Sequence, residues 1–173
     1  YVLSVGSLHP NKSHDLTIRS LATIPTGVRP NFIIAHDRFL KGEKHSLQSL
    51  AESLGVKVSF NYRVSEQKLV SLYQGAVATV CAAELEPFGL TPLESMACGT
   101  PVVAVNEGGY RETVTPEVGV LATRSAEDIG DAINLVATKK FSSRLLQDYA
   151  QDCWGWRRSV RQYMDILEEE SAG

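Results

Sequence analysis

Six short apolar segments, separated by stretches with a helical pattern, constrain the fold of this 173-residue chain more than any other feature. Runs this short and apolar are typical of strands that are buried on both faces of a sheet. Each interval is long enough for a crossover helix. The pattern predicts an α/β protein with a doubly wound, mainly parallel, six-stranded sheet and helices on both faces. The segments are YVLSV (1–5), NFIIA (31–35), VKVSF (56–60), ATVCA (78–82), PVVAV (101–105) and the weaker GVLA (119–122).

The intervals contain signals for helix ends. Ser13 is expected to cap the first helix, and Gly55 to end the second in a left-handed conformation. The last segment, CWGWRRSVRQYMDILEEE, is amphipathic, and its apolar side is expected to pack against the domain. That side carries Trp156, Val160, Tyr163 and Leu167. The predicted helices cover about 13–24, 41–54, a segment after Ser65, 89–99, 126–137, 142–150 and 156–169.

Composition excludes several classes of protein. A net charge of −3 and a pI near 5.8 give no general electrostatic reason to bind nucleic acid or an anionic membrane. The three cysteines, Cys81, Cys98 and Cys153, are too few and too scattered for a disulfide framework or a metal site, which favours a reducing, cytoplasmic compartment. The chain opens inside an apparent strand and without Met, so we expect a piece of a longer protein.

Ligands of doubly wound sheets bind at the carboxyl ends of the strands, where the strand order reverses. The loop after the first strand, GSLHPNKSHD, contains Gly6, which permits a close approach of backbone to ligand, and Lys12, which carries a flexible ammonium. An ordinary loop with a solvated lysine has the same pattern. Neither the P-loop spacing nor the dinucleotide fingerprint G-x-G-x-x-G occurs.

The loop after the fourth strand, ELEPFGLTPLE, opens a helix. Because Pro92 lies in the first turn, it costs no helical hydrogen bond. The free amides of Phe88, Gly89, Leu90 and Thr91 are then expected to point out of the helix, where they and the macrodipole favour an anion. The sequence therefore predicts a site of about the size of a phosphate group.

Two glutamates flank this predicted anion site. Glu86 precedes the site and Glu94 lies about one turn inside the helix. Either carboxylate alone is explained by compensation of the helix dipole. Together they favour a ligand with vicinal hydroxyls as well as phosphate, because carboxylates accept two hydrogen bonds from such groups. Gly108 and Gly109 predict a turn near ligand or sheet, with a plain left-handed turn as the alternative.

The run EPFGLTPLESMACGTPVVAVNEGGYRETV resembles the signature of the retaining glycosyltransferases of family 4, which use the GT-B fold of two facing Rossmann-like domains. VGSLHPNKSHDL resembles the glycine-plus-basic loop of that family, and RVSEQKLVSLYQGA resembles its base-binding loop and helix. The resemblance covers roughly residues 1–137. It implies that residues 1–173 are the carboxy-terminal domain, which binds the sugar nucleotide, and that the amino-terminal, acceptor-binding domain is absent from this chain. Because the closing helix of the GT-B fold commonly crosses to the amino-terminal domain, the resemblance also implies an alternative for the last helix, in which part of its apolar side lacks its partner here.

The resemblance also implies a role for each site residue. Glu94 would hold the ribose hydroxyls, Glu86 the 3- and 4-hydroxyls of the donor sugar, and Lys12 would neutralise the departing diphosphate. The amides at the start of the helix would hold the sugar and the diphosphate. The backbone of the loop after the third strand, at Arg63 and Val64, would contact the base of the nucleotide. Lys12 and Glu86 are the implied catalytic residues, with Glu86 as a sugar holder and not a nucleophile. The implied donor-binding residues are Gly6, Ser7, Lys12, Arg63, Val64, Glu86, Phe88, Gly89, Leu90, Thr91 and Glu94.

One residue departs from the family pattern. Members often carry Arg directly after the glycine of the first loop, and here that residue is Ser7. Either Lys12 acts with less help, or another cation such as Arg38 supplies the second charge. No Asp-x-Asp motif occurs, so the sequence offers no obvious carboxylate pair for a divalent metal that binds the donor. The resemblance implies transfer with retention of anomeric configuration, without a metal or any other cofactor.

A UDP-hexose, first of all UDP-glucose, is the expected donor, with a glycan or a lipid-linked molecule as the acceptor. The alternatives are a GDP-mannose-dependent mannosyltransferase, a UDP-sugar 2-epimerase, and a non-catalytic receiver-like domain. A receiver needs an acidic cluster after the first strand, where this chain has VGSLHP. The isolated domain is expected to bind donor and at most to hydrolyse it slowly. Any contact with the inner face of a membrane would be made by the absent domain.

Overall fold

The predicted sheet is present in the structure, a computed structural model that describes the backbone of residues 1–171 and the side chains of residues 1–169. Six strands pair in the order β3-β2-β1-β4-β5-β6, and every neighbouring pair is parallel. The order reverses between β1 and β4, so these two strands form the switch point. The strands are β1 (Val2–Val5), β2 (Phe32–His36), β3 (Val58–Tyr62), β4 (Ala78–Cys81), β5 (Val102–Val105) and β6 (Gly119–Ala122).

Helices connect the strands and cover the sheet, as predicted. Helix α1 packs against α2 and α6, whereas α4 packs against α7. The helices are α1 (His14–Thr23), α2 (Glu43–Ser53), α3 (Glu66–Gly75), α4 (Leu90–Ala97), α5 (Tyr110–Thr113), α6 (Ala126–Thr138), α7 (Ser143–Trp154) and α8 (Trp156–Ser171). The short α5 was not predicted. The left-handed conformation of Gly55, with φ +64°, is confirmed, and α3 begins directly after Ser65 as predicted, with the Ser65 hydroxyl as its cap.

The third strand differs from its prediction. It begins at Val58 rather than Val56, because the amide of Val56 donates to the carbonyl of Ala51 at the end of α2 and belongs to the turn. Since β3 is the edge of the sheet, its residues are partly exposed and not buried on both faces. The apolar run alone does not distinguish an edge strand from a central one.

The hydrophobic core lies along the central strands. Every residue of β4 and β5 is buried, including Cys81, whereas Cys153 on α7 is exposed. A second, smaller cluster joins β1 and β2 to α3 through Leu3, Ala35, Leu72 and Tyr73. Within residues 1–171 no helix combines the length and the apolar character that crossing a bilayer requires.

The last helix does not pack as predicted. Gly155 has an extended backbone and separates α7 from α8, so α8 leaves the surface of the domain. Trp156 is 85% exposed and Tyr163 is 71% exposed. The expectation that the apolar side of this helix packs against the domain is therefore wrong for the part of the chain that the structure describes.

Candidate functional site

A crevice opens where β1 and β4 separate. The two strands are in register only at Val2 with Ala78 and Leu3 with Thr79, and beyond this point the Ser4 hydroxyl donates to the carbonyl of Val80 over 2.7 Å. A cavity of about 20 Å³ remains at this end of the strands, enough for about one water molecule. Its lining includes Ser4, Lys12, His14, Cys81, Glu86, Thr91 and Tyr110.

Lys12 and Glu86 form an ion pair at this crevice. The Nζ atom of Lys12 lies 2.7 Å from Oε2 of Glu86, and the two side chains are 30% and 24% exposed. Lys12 ends a short 3₁₀ turn, Pro10–Lys12, and its aliphatic stem passes over Gly6. The sequence predicted both residues in the site, but it did not predict that they contact each other.

The start of α4 presents unpaired backbone amides. Gly89 is the residue before the helix, with φ +86°, and Pro92 lies in the first turn. Within residues 1–171 the amides of Phe88, Gly89, Leu90 and Thr91 donate no hydrogen bond. These donors and the positive end of the helix dipole together make a site for an anion.

Gly89 is also required for packing. A Cβ at this position would lie 2.8 Å from Cε1 of Tyr110, so the ring of Tyr110 occupies the space where a side chain would be. Phe88 and Leu90 are exposed, and the ring of Phe88 packs edge-on against Trp154 of α7, with 5.5 Å between the ring centroids.

The glycine pair after β5 supports the loop that carries Glu86. Gly108 has φ +51°, so the predicted turn is present, and the amide of Gly109 donates to the carbonyl of Glu86 over 2.8 Å. A Cβ on Gly109 would lie 2.6 Å from Cα and from the carbonyl oxygen of Phe88, and one on Gly108 would overlap the carbonyl of Glu86. The glycine pair therefore packs directly against the backbone of the loop that carries Glu86.

Arg124, directly after β6, joins four segments around the crevice. Its guanidinium binds both oxygens of Glu107, donates to the carbonyls of Ala82 and Ala83 over 3.0 Å each, and donates to the Ser13 hydroxyl. The hydrogen bonds from Arg124 lower the pKa of Glu107. Sequence reasoning missed this residue, because nothing in the segment ATRS marks an arginine as partly buried.

Ser13 corrects a prediction about the first helix. Ser13 directly precedes α1, as expected. Its backbone is left-handed, with φ +50°, and its hydroxyl makes no capping hydrogen bond. That hydroxyl instead accepts a hydrogen bond from Arg124. Ser13, Arg63 and Leu85 are the non-glycine residues with positive φ within residues 1–171, and all three lie in loops at the carboxyl ends of strands. Strained backbone of this kind tends to gather at functional sites.

Glu94 lies one turn into α4 and is held by a tyrosine from α3. The Tyr73 hydroxyl donates to Oε2 of Glu94 over 2.7 Å. Tyr73 is 2% exposed, and burial, followed by the charge of Glu94, raises the pKa of its hydroxyl well above the ordinary value. Sequence reasoning did not place Tyr73 in the site.

The first loop holds Ser7 and a buried histidine. The Nε2–H of His14 donates to the carbonyl of Ser7 over 3.1 Å. His14 is buried, and this burial lowers its pKa to about 4. The carbonyl of Arg38 accepts the amide of Leu8, so Arg38 lies on the adjacent loop, but its side chain is 85% exposed and lies 3.5 Å from Asp37.

The third strand-end loop follows β3. The amide of Arg63 donates to the carbonyl of His36 over 2.8 Å, and the guanidinium of Arg63 stacks on the ring of Tyr62. Val64 packs on the cluster that contains Tyr73. This loop therefore follows the edge strand, on the β2 and β3 side of β1, and its contact with a base stays a prediction.

Comparison with known proteins identifies the family. The family model of glycosyl transferases group 1 matches residues 1–152. The chain is 31% identical over 182 residues to the D-inositol 3-phosphate glycosyltransferase of Saccharomonospora viridis, an alignment that covers 96% of this chain and 42% of the relative. It is 35% identical over 122 residues to the mannosylfructose-phosphate synthase of Agrobacterium fabrum, covering 66% of this chain and 27% of that protein.

Solved structures share the fold. The sucrose-phosphate synthase of Thermosynechococcus elongatus superposes with a TM-score of 0.85 at 24% identity, over 99% of this chain and 45% of that chain. Anabaena HepE in complex with UDP and glucose superposes with a TM-score of 0.80 at 24% identity, over 98% of this chain and 48% of that chain. The chain thus spans less than half the length of these proteins. The fold is that of one domain of the GT-B glycosyltransferases, and the chain belongs to the glycosyl transferases group 1 family.

Proposed function

We propose that this domain binds a nucleoside-diphosphate hexose, with UDP-glucose as the first choice, for transfer with retention of anomeric configuration. One observation carries the proposal, namely that the Lys12–Glu86 ion pair lies at the same crevice as the free amides at the start of α4. A cation and amide donors suit a diphosphate, whereas a carboxylate suits sugar hydroxyls.

The proposed roles follow from these positions. Lys12 and the amides of residues 88–91 hold the diphosphate, and Lys12 neutralises its charge as the bond to the sugar breaks. Glu86 accepts hydrogen bonds from the donor-sugar hydroxyls, and Glu94 from the ribose hydroxyls. The backbone of Arg63 and Val64 meets the base, and Gly6 and Ser7 line the first loop against the phosphates.

The ion pair gives donor binding a defined first step. Lys12 and Glu86 bind each other, so a donor that binds both side chains must replace this contact. A sugar diphosphate offers a new partner to both side chains, since its phosphates can bind the Lys12 ammonium and its sugar hydroxyls can donate to the Glu86 carboxylate. We propose that this exchange occurs without a divalent metal, with fixed protein donors meeting the charge of the leaving group.

The donor choice draws on the relatives. HepE of Anabaena was crystallised with UDP and glucose, which favours a uridine nucleotide and glucose. The mannosylfructose-phosphate synthase from Agrobacterium fabrum is named for a mannosyl product, so GDP-mannose stays the alternative donor. In the complete enzyme, an amino-terminal domain would bind the glycan or lipid-linked acceptor, and the reaction would take place in the cytoplasm.

The test is titration calorimetry of this chain with UDP, GDP, UDP-glucose and GDP-mannose, all in excess EDTA. We expect the uridine series to bind and the guanosine series not to bind. Binding of the guanosine series alone would replace UDP-glucose by GDP-mannose. Binding that returns only after Mg²⁺ is added would contradict the metal-free mechanism, and no binding under either condition would contradict the proposed donor site.

A further inference from the structure

Glu94 is exposed on α4, yet one of its oxygens is fixed by a buried side chain. The Tyr73 hydroxyl donates to Oε2 over 2.7 Å, and Oε1 makes no hydrogen bond within residues 1–171. A glutamate on a surface ordinarily loses considerable rotamer freedom when it binds a ligand. This glutamate has lost part of that freedom before any ligand arrives.

The tyrosine itself is held at both ends. Its ring lies in the cluster with Leu3, Ala35 and Leu72, and its backbone carbonyl accepts the Thr100 hydroxyl over 2.6 Å. The carbonyl of Thr100 in turn accepts the hydroxyl of Ser95, the residue after Glu94. The donor of the hydrogen bond and the helix that carries the acceptor are therefore joined through one buried network.

The Tyr73 hydroxyl is a constant donor. Burial and the neighbouring carboxylate both raise its pKa above the ordinary value of 10, so it keeps its proton at every physiological pH. Each carboxylate oxygen has two acceptor positions, so the bond from Tyr73 uses one and leaves the others for hydroxyl groups of a ligand.

We propose that Tyr73 is a positioning residue that makes the site selective for nucleotides with an intact ribose diol, by fixing the Glu94 carboxylate in the orientation that accepts both ribose hydroxyls. This inference rests on the proposed function, in which Glu94 binds the ribose. It extends that function to a residue that touches no ligand and that sets the discrimination between ribose and deoxyribose.

The experiment compares UDP with 2′,3′-dideoxyuridine diphosphate by calorimetry, in the wild-type chain and in Tyr73→Phe. The substitution removes only the hydroxyl and leaves the ring in its cluster. The wild type should prefer UDP by roughly tenfold or more, since hydrogen bonds to a charged group are strong. In Tyr73→Phe the affinity for UDP should fall by about threefold to tenfold while the dideoxy ligand keeps its affinity, so the ratio shrinks.

Tyr1→Phe is the matched control. The Tyr1 hydroxyl donates to the carbonyl of Leu72 over 2.7 Å and packs on the same cluster, but it does not contact Glu94. This variant should keep the wild-type ratio. Because both ligands are measured on the same sample, a fraction of unfolded protein lowers both signals equally and leaves the ratio of affinities unchanged.

Two further comparisons separate the possible failures. If the wild type does not prefer UDP over the dideoxy ligand, or if Glu94→Ala keeps the wild-type preference, Glu94 does not bind ribose, and the role that the proposed function gives it fails with the inference. If Glu94→Ala abolishes the preference but Tyr73→Phe retains it, or weakens both ligands equally, only the inference is overturned. In the Glu94→Ala background, Tyr73→Phe should change neither the affinity for UDP nor that for the dideoxy ligand. An additional loss of affinity in the double variant would also contradict the inference about Tyr73.

Discussion

The two ends of the candidate site hold their glutamates in different ways. At the β1 end, Glu86 is paired with a lysine, a flexible side chain whose ammonium can leave for another anion. At the α3 end, Glu94 is paired with the hydroxyl of a buried tyrosine that has no freedom to leave. One carboxylate is thus held by a partner that a ligand can displace, and the other by a partner that remains in place.

The difference between these two contacts indicates different roles for the two glutamates in the proposed site. In the proposed function, the Lys12–Glu86 contact would rearrange when the donor binds, and it would hold the part of the donor that reacts. The Tyr73–Glu94 contact would stay fixed, and it would hold the nucleoside, which does not react. Substitutions at the two ends should therefore have different signatures in binding and in stability.

Lys12→Ala should have the largest effect on binding. It removes the side-chain cation that contacts Glu86 in the crevice, so the affinity for UDP should fall by about 100-fold or more. Uridine, which has no phosphate, should bind the variant within about twofold of the wild type. Lys139→Ala is the control, because Lys139 contacts Pro116 and Phe141 away from the crevice. An equal loss for uridine would show that the substitution damages the fold.

His14→Gln should reveal a pH dependence at the Lys12 end. Burial lowers the pKa of His14 to about 4, below its ordinary value of 6.5. As the pH falls below 6.5, the unfolded chain takes up a proton that the folded chain refuses until about pH 4, so stability is lost in this window. From pH 7 to pH 5 this amounts to about 2 kcal/mol.

Glutamine can keep a donor to the carbonyl of Ser7 but does not titrate. The measurement is urea unfolding of wild type and variant at both pH values. The difference in unfolding free energy between the two proteins should narrow by about 2 kcal/mol at pH 5. An unchanged difference would show that His14 is not held neutral by its burial.

The two glutamates should differ in what they recognise. Glu94→Ala should weaken UDP and UDP-glucose alike, by roughly tenfold, because both ligands contain ribose. Glu86→Ala should weaken UDP-glucose by about fivefold and leave UDP unchanged or slightly tighter, since Lys12 is then unpaired before binding. The measurement is calorimetry of both variants with both ligands. Equal losses of affinity for UDP and UDP-glucose in both variants would contradict the roles proposed for Glu94 and Glu86.

Local patterns were sufficient to predict the sheet, the helix ends at Ser65 and Gly55, and the free amides at the start of α4. These features depend on residues close in sequence, such as Pro92 beside Gly89, and on the period of apolar residues. The edge position of β3 and the exposure of α8 were not predictable in this way, because both depend on what lies beside an element in space.

The parts of the site that sequence reasoning missed are long-range contacts. Arg124 reaches Ser13, which is 111 residues away, and Tyr73 on α3 reaches Glu94 on α4, which is 21 residues away. Each of these side chains is ordinary in its own segment. Only the fold shows that a partly buried guanidinium joins four loops, or that a core tyrosine donates a hydrogen bond to a surface carboxylate.

The close fit between the glycine pair and the Glu86 loop limits how this site can change during evolution. Any residue other than glycine at Gly109 would place a carbon atom against the backbone of Phe88, whatever its chemical character. Because the obstacle is main chain, no change of neighbouring side chains relieves it. Variation in ligand preference is therefore open to outward-facing side chains such as Leu85 and Leu90, whereas the path of the backbone beneath them can change only if both loops change together.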